Sequence, residues 1–176
     1  MQLSNGEVKI IDDLVSTQQQ IELYVEACSL PYALLGSNKY DVQDLKTQKP
    51  VSYLDEEWCH KKFFKNGIGD YLSGFCPPKI DVAYINMGLH AESPDVHVDS
   101  SVKGDMTLLY YMNREWKHEW GGETIFLDDN SKEIEYVTPF VPGRIIVFDS
   151  TIPHSARQQS FAGPLYRFTL AIKFKC

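Results

Sequence analysis

His97-Val98-Asp99 places an imidazole and a carboxylate two positions apart. In a strand, alternate side chains project to the same face, so the two would point together. A second histidine beside them would complete a 2-His-1-carboxylate facial triad. Such a triad holds non-haem Fe(II) by three ligands and leaves further positions open for chemistry. The same tripeptide also occurs as plain polar surface strand, so the rest of the chain must supply the missing parts. The remaining histidines are His60, His90, His118 and His154. His154 lies just past the apolar run 144–148, beyond a strand end, where site residues are often mounted. His118 sits among Trp116, Lys117 and Glu119, a solvated setting, and His60 and His90 read as surface or loop residues.

A second candidate is Arg167, flanked by the apolar Phe168, Leu170 and Ile172. An arginine turned into a core needs a partner, because an unpaired buried charge is very costly. A carboxylate matches the guanidinium fork. It could be an internal Asp or Glu, or a carboxylate-bearing cosubstrate. Thr169, two positions on, shares the face of Arg167. Tyr84 and Tyr111 each precede a loop. Buried phenols usually fill cores, yet each is also a good neutral donor to a ligand carboxylate.

The elements that must carry these groups fall into two parts. In the first third, Val8-Lys9-Ile10-Ile11 reads as a strand and Ser16-x-x-Gln19 as a capping box. Ile21, Tyr24, Val25 and Cys28 recur at helical spacing, which predicts a helix over 17–29 that ends at Pro31. A second helix is expected over 54–65 and a further helical turn from Asp70 to Leu72. Residues 36–52 give no clear pattern. Beyond Lys79 the chain turns β-branched and aromatic, with strands predicted at 80–87, 96–98, 106–112, 122–127, 133–137, 144–148 and 166–174. Pro142-Gly143 reads as a tight turn. Many short strands at regular spacing after a helical start predict a mainly β fold with N-terminal helices. The helices would pack on an antiparallel jelly-roll sandwich or barrel.

The 176 residues suit one domain, 1–176, with 1–78 as helical support and 79–176 as the catalytic β core. A net charge of -7 gives no positive footprint for nucleic acid, so no nucleic-acid partner is expected. Cys28, Cys59, Cys76 and Cys176 form no C-x-x-C pair, which favours reduced thiols and a cytoplasmic setting. No signal peptide and no membrane span are expected from the apolar pattern.

From about residue 81 to 174 the chain resembles the Fe(II)/2-oxoglutarate-dependent oxygenases, most closely the prolyl 4-hydroxylase branch. The matching segments are Val82-Ala83-Tyr84, His97-Val98-Asp99, Leu109-Tyr110-Tyr111-Met112-Asn113 and Trp120-Gly121-Gly122-Glu123-Thr124-x-Phe126. They continue with Pro142-Gly143-Arg144-x-x-x-Phe148, His154 and Arg167-Phe168-Thr169-Leu170, in the family's order. The resemblance implies a double-stranded β-helix with iron held by His97, Asp99 and His154. It implies that Arg167 grips the distal carboxylate of 2-oxoglutarate, with Tyr84, Tyr111 and Thr169 contributing. Arg157, three residues past His154, is the rival for that role. Arginine rather than lysine at position 167 favours the bacterial, viral or oxygen-sensing type of prolyl hydroxylase. The two-arginine pattern of the superfamily's nucleic-acid demethylases is absent after His154.

The implied cofactors are Fe(II), 2-oxoglutarate and O2, with ascorbate as an optional addition. The implied reaction hydroxylates a substrate C–H bond and yields succinate and CO2. Its implied partner is a prolyl residue of a peptide or protein. The same chemistry on a free amino acid or small metabolite is the alternative, and a non-catalytic β-sandwich binding protein the third reading. Residues 92–95 and 113–120 would rim the substrate entrance. Trp116, Trp120 and Arg157 are the substrate-side candidates, and Arg114 and Arg144 are further possible clamps for a substrate carboxylate.

Overall fold

The computed structural model describes residues 1–34, 50–77, 79–90 and 95–176. Most of residues 36–52, and 92–94 of the expected rim, lie outside that set. Among the described residues, eleven strands form two antiparallel sheets. In the first third they are β1 (Gln2–Leu3), β2 (Gly6–Ile11), β3 (Ala33–Leu34) and β4 (Pro50–Leu54). Then come β5 (Lys79–Gly88), β6 (Met106–Tyr111), β7 (Thr124–Leu127) and β8 (Ile134–Thr138). The last are β9 (Ile145–Asp149), β10 (His154–Ala156) and β11 (Arg167–Lys175). The large sheet runs β1-β2-β9-β6-β11-β5-β4-β3 and the small one β10-β7-β8. Strands of the first third therefore close both edges of the large sheet. Face to face, the two sheets make the double-stranded β-helix.

Helix α1 (Thr17–Ser29) matches its expected span. Ser16 caps it by accepting from the Gln19 backbone N–H at 3.3 Å. The capping box is only half made, because the Gln19 amide turns inward to Lys62 and Phe63 carbonyls at 3.1 and 2.9 Å. The buried stripe also differs from the expected one. Gln19, Leu23 and Ala27 are the buried positions, whereas Val25 is 59% exposed and Cys28 is exposed. Both sets have helical spacing; what selects between them is the shape of the surface below. Residues expected as one helix over 54–65 form α2 (Glu56–Trp58), which widens into a π-helical turn at Cys59–Phe63. The last α-helix is α3 (Ile68–Leu72), and a 3-10 turn follows at His118–Trp120. Among the described residues no helix is long and apolar enough to cross a membrane. All four cysteines are free thiols.

Two cores lie on opposite faces of the large sheet. Tyr110, Ile145, Val147, Phe168, Leu170 and Ile172 pack under the helices with Leu23, Ala27 and Phe63. Tyr111, Ile146 and Phe148 face the small sheet and meet Phe126 and Phe140. Strands covered on both faces lose the apolar–polar alternation, which is why β6 and β9 read as continuous apolar runs. The period of two still sorts the side chains. On β11, Phe168, Leu170 and Ile172 go to the helices. Arg167, Thr169, Ala171 and Lys173 consequently go to the space between the sheets.

Two further expectations change. Residues 96–98 are not a strand; His97 makes a single antiparallel bridge to His154. His154 opens the short strand β10, paired with β7, rather than standing in a loop. Three residues are too few to show a periodic pattern in sequence.

Candidate active site

His97, Asp99 and His154 come together from two chain segments stitched by backbone. His97 N donates to His154 O at 3.0 Å, and His154 N donates back to His97 O at 2.9 Å. Asp99 N donates to Ser150 O at 2.8 Å. One potential ligand atom from each of the three residues lies within 4.8 Å of the others. The side chains of Asp99 and His154 are 4% and 6% exposed, that of His97 49%, so the cluster opens to solvent on the His97 side.

Both imidazoles are oriented the same way. His97 Nδ1 lies 3.0 Å from Asp95 O, and His154 Nδ1 lies 2.9 Å from Ile152 O. A carbonyl only accepts, so each Nδ1 carries the hydrogen and each Nε2 keeps a lone pair. Metal-ligating histidines are held in this way. Those Nε2 atoms stand 3.7 and 3.6 Å from the two Asp99 oxygens. That is too long for hydrogen bonds but close enough for three donors to bracket one ion. Burial drives the His154 pKa down to about 4, against the opposing pull of Asp99, so the ring is neutral at pH 7. Burial raises the pKa of Asp99, but His154 and Lys173 outweigh it and the carboxyl titrates below its ordinary range. Thr107 donates to Asp99 Oδ2 at 2.8 Å and fixes the carboxylate plane. The donor set fits a divalent transition metal.

A second cluster surrounds Arg167, which is 7% exposed. Its Nε donates to Gly122 O at 3.0 Å and its Nη1 to Thr169 Oγ1 at 2.9 Å. The guanidinium carbon lies 4.9 Å from the Phe140 ring centroid and 5.4 Å from that of Tyr111. Those two rings stack at 4.2 Å and 13°. Trp116 packs on Phe140 at 4.3 Å, with its indole N–H donating to Gly121 O. Among the described residues no carboxylate lies within ion-pair distance of Arg167; Glu123 acts only at longer range. The internal ion pair weighed from the sequence is therefore not made. A buried guanidinium without an anion costs several kcal/mol, on the order of what a bound carboxylate would restore. Tyr111 donates its hydroxyl to Thr124 Oγ1 at 2.7 Å and Thr169 shares the pocket.

Tyr84 is not in that pocket. It lies at the metal-ligand end, where the ammonium of Lys173 sits 5.6 Å from its ring centroid. Arg157 is exposed on the surface. Arg144 is taken by a two-pronged pair with Asp12 at 2.8 Å on each arm, and Arg114 is exposed. Trp116 is half-buried as part of the Arg167 pocket, and Trp120 meets it edge-on at 5.8 Å. His60 pairs with Glu56, His118 with Glu119, and His90 packs on Phe161, all apart from the triad.

Sequence reasoning missed three contributors. Phe140 forms the floor of the Arg167 pocket, Thr107 orients Asp99, and Lys173 contacts Asp99 Oδ1 at 2.7 Å. Lys173 had a signal: it lies an even number of residues from Arg167 on one strand, hence on the same face. Phe140 had none, since it lies between strands.

Residues 83–174 match the model of the 2OG-Fe(II) oxygenase superfamily, and the chain belongs to that family. Its members use Fe(II) and 2-oxoglutarate, and the fold and family make this protein a dioxygenase. Among solved structures it is similar to a prolyl-4-hydroxylase of Pseudomonas putida, with TM-score 0.70 and 13% identity over 99% of this chain and 95% of that one. It is also similar to a prolyl hydroxylase of Trichoplax adhaerens in complex with a hypoxia inducible factor oxygen degradation domain peptide. That match has TM-score 0.68 and 15% identity over 95% and 82% of the two chains. A third is HygX of Streptomyces hygroscopicus with nickel and 2-oxoglutarate bound, with TM-score 0.66 and 12% identity over 96% and 82%. No curated protein matches the chain.

Proposed function

We propose that this dioxygenase hydroxylates a substrate C–H bond, with Fe(II) held by His97, Asp99 and His154 and 2-oxoglutarate by Arg167. The observation that carries the reading is the pairing of two incomplete sites. Three metal-type donors face one another without hydrogen bonds between them, and on the same interior face a buried guanidinium has no carboxylate partner among the described residues. Held by these residues, the metal and cosubstrate would supply the oxidising power of O2, one oxygen atom going to succinate with loss of CO2 and the other to the substrate C–H bond.

The chain's own residues orient and protect. The carbonyls of Asp95 and Ile152 keep both imidazoles in the metal-binding tautomer. Thr107 holds the carboxylate. Gly122 O and Thr169 aim the Arg167 fork, while Tyr111, Phe140 and Trp116 exclude water from it. A fork aimed in advance loses little entropy on binding and fixes a carboxylate in one pose.

For the substrate, the likeness to two prolyl hydroxylases supports a prolyl residue of a peptide or protein. A free amino acid or small metabolite is the second reading, favoured by the cationic Lys173 beside Asp99. The decisive experiment supplies Fe(II), 2-oxoglutarate and O2 and offers a proline-rich peptide pool and free amino acids. Succinate release matched by gain of one oxygen in the substrate is the expected result. Failure to bind Mn(II) and 2-oxoglutarate would end the reading.

A further inference from the structure

Lys173 is the charged group of the site that the metal and cosubstrate do not account for. Its ammonium lies 2.7 Å from Asp99 Oδ1, its only carboxylate partner among the described residues, and its side chain is 23% exposed.

Its position on β11 separates it from the cosubstrate. Arg167, Thr169, Ala171 and Lys173 share the interior face, and six residues of strand span about 20 Å. Lys173 pairs across to Thr107, the residue that holds Asp99. A molecule joining the metal donors to Arg167 would cross Thr169 and Ala171, the two small residues that lie between Arg167 and Lys173 on that face. Lys173 bounds that space at the end away from Arg167. On its outer side the Tyr84 ring meets Tyr53 edge-on at 6.0 Å, and Tyr53 is 59% exposed. An aromatic wall thus leads from the surface to the ammonium.

The charges point the same way. With a divalent ion bound, metal and ammonium share one carboxylate. Arg167 and part of the metal charge are matched by the 2-oxoglutarate dianion. One positive charge remains uncompensated, at the half-buried end beside Lys173, where screening by water is weak.

From this geometry we infer that Lys173 binds an anionic group of the substrate, and that the substrate is a small carboxylic acid, such as a free amino acid, with the carboxylate close to the oxidised carbon. The inference rests on the oxygenase reading and selects its second substrate class: an internal residue of a peptide presents an amide at that place. Lys173 is then a specificity-determining residue.

The test uses the full chain with Fe(II) and 2-oxoglutarate. It is offered the proteinogenic amino acids, each as the free acid and as its amide, and a proline-rich peptide pool. Succinate release and gain of one oxygen are measured. Affinities of the same probes for protein loaded with Mn(II) and 2-oxoglutarate are read by calorimetry. At least one acid should bind and be oxidised about tenfold or more better than its amide. Lys173→Met should shrink that acid-to-amide ratio by about ten- to a hundredfold, and Lys173→Arg should keep most of it. A lysine that served only as a counter-ion to Asp99 would change acid and amide equally, so an unaltered ratio in Lys173→Met overturns the inference. Equal use of acid and amide, preference for the peptide pool, or no acid bound by a protein that does bind Mn(II) and 2-oxoglutarate also overturns it, while leaving the oxygenase reading intact. Loss of Mn(II) and 2-oxoglutarate binding altogether would overturn both.

Discussion

Arg167 donates from Nη1 to Thr169 Oγ1 at 2.9 Å, a bond along one face of a single strand that aims the guanidinium into the interior. With Gly122 O holding Nε, the remaining donors of the fork meet no carboxylate of the described residues within ion-pair distance. Arg167→Lys keeps the charge and loses the fork. It should raise the KM for 2-oxoglutarate about ten- to a hundredfold, the worth of a charge-assisted contact. Titration of Mn(II) should be little changed. Arg157→Lys, at an exposed position, should leave the KM for 2-oxoglutarate unaltered; the reverse pattern would remove Arg167 from the role.

Gly122 has φ +81°, and a Cβ there would meet Trp116 Cζ2 at 3.0 Å and Arg167 Cδ and Nε at 3.3 Å. Gly122→Ala should cost about 1–2 kcal/mol for the left-handed backbone alone. It should also push the guanidinium off its carbonyl and weaken 2-oxoglutarate binding. Calorimetry on the Mn(II)-loaded variant checks this; unchanged affinity would show that the pocket absorbs the methyl group.

Asp99→Ala removes the one carboxylate among the three metal donors and the partner of Lys173. Loss of Mn(II) binding and of succinate production is expected. A variant that binds metal and turns over normally would remove Asp99 from the site.

Metal and cosubstrate should bind only the folded chain, because β10 and the 97–99 segment supply donors that are adjacent only after folding. A ligand at about a hundred times its Kd adds about 2.7 kcal/mol. For a chain of this size that raises Tm by roughly 5–10 °C. Melting curves with Mn(II) and 2-oxoglutarate, against chelator alone, measure it, and coincident curves would contradict a preformed site.

Asp12 grips Arg144 through both oxygens, and this hydrogen bonding holds its carboxyl below the ordinary range. A depressed carboxylate adds stability that is complete above its unfolded pKa and is lost as pH falls through the folded one. Asp12 is 42% exposed, so the pair is worth at most about 1 kcal/mol. Asp12→Asn should therefore be slightly less stable than wild type at pH 7 and equal to it in strong acid, as denaturant titrations at the two pH values would reveal.

Apart from 96–98 and β10, the strands of the second half, helix α1 and the family itself could be read from residue order, because period and turn chemistry are local properties. His97, Asp99, His154 and Arg167 could be singled out because their types in that order are rare by chance. The stripe by which α1 docks could not, since Ile21, Tyr24, Val25 and Cys28 fit a helix as well as Gln19, Leu23 and Ala27 do. Only the surface beneath chooses. Nor could the neighbours of the chemistry be read.

What the sequence determined by itself was which side chains share a face of each strand, because alternation along a strand needs no tertiary contact. That alone groups Arg167, Thr169 and Lys173. Which groups face each other across strands was decided by register and closure of the two sheets. That step separated Tyr84 from Arg167, set Phe140 beneath the guanidinium and brought Lys173 to Asp99. Contacts between residues distant in sequence depend on how the sheets pack, and no periodicity within one segment records that.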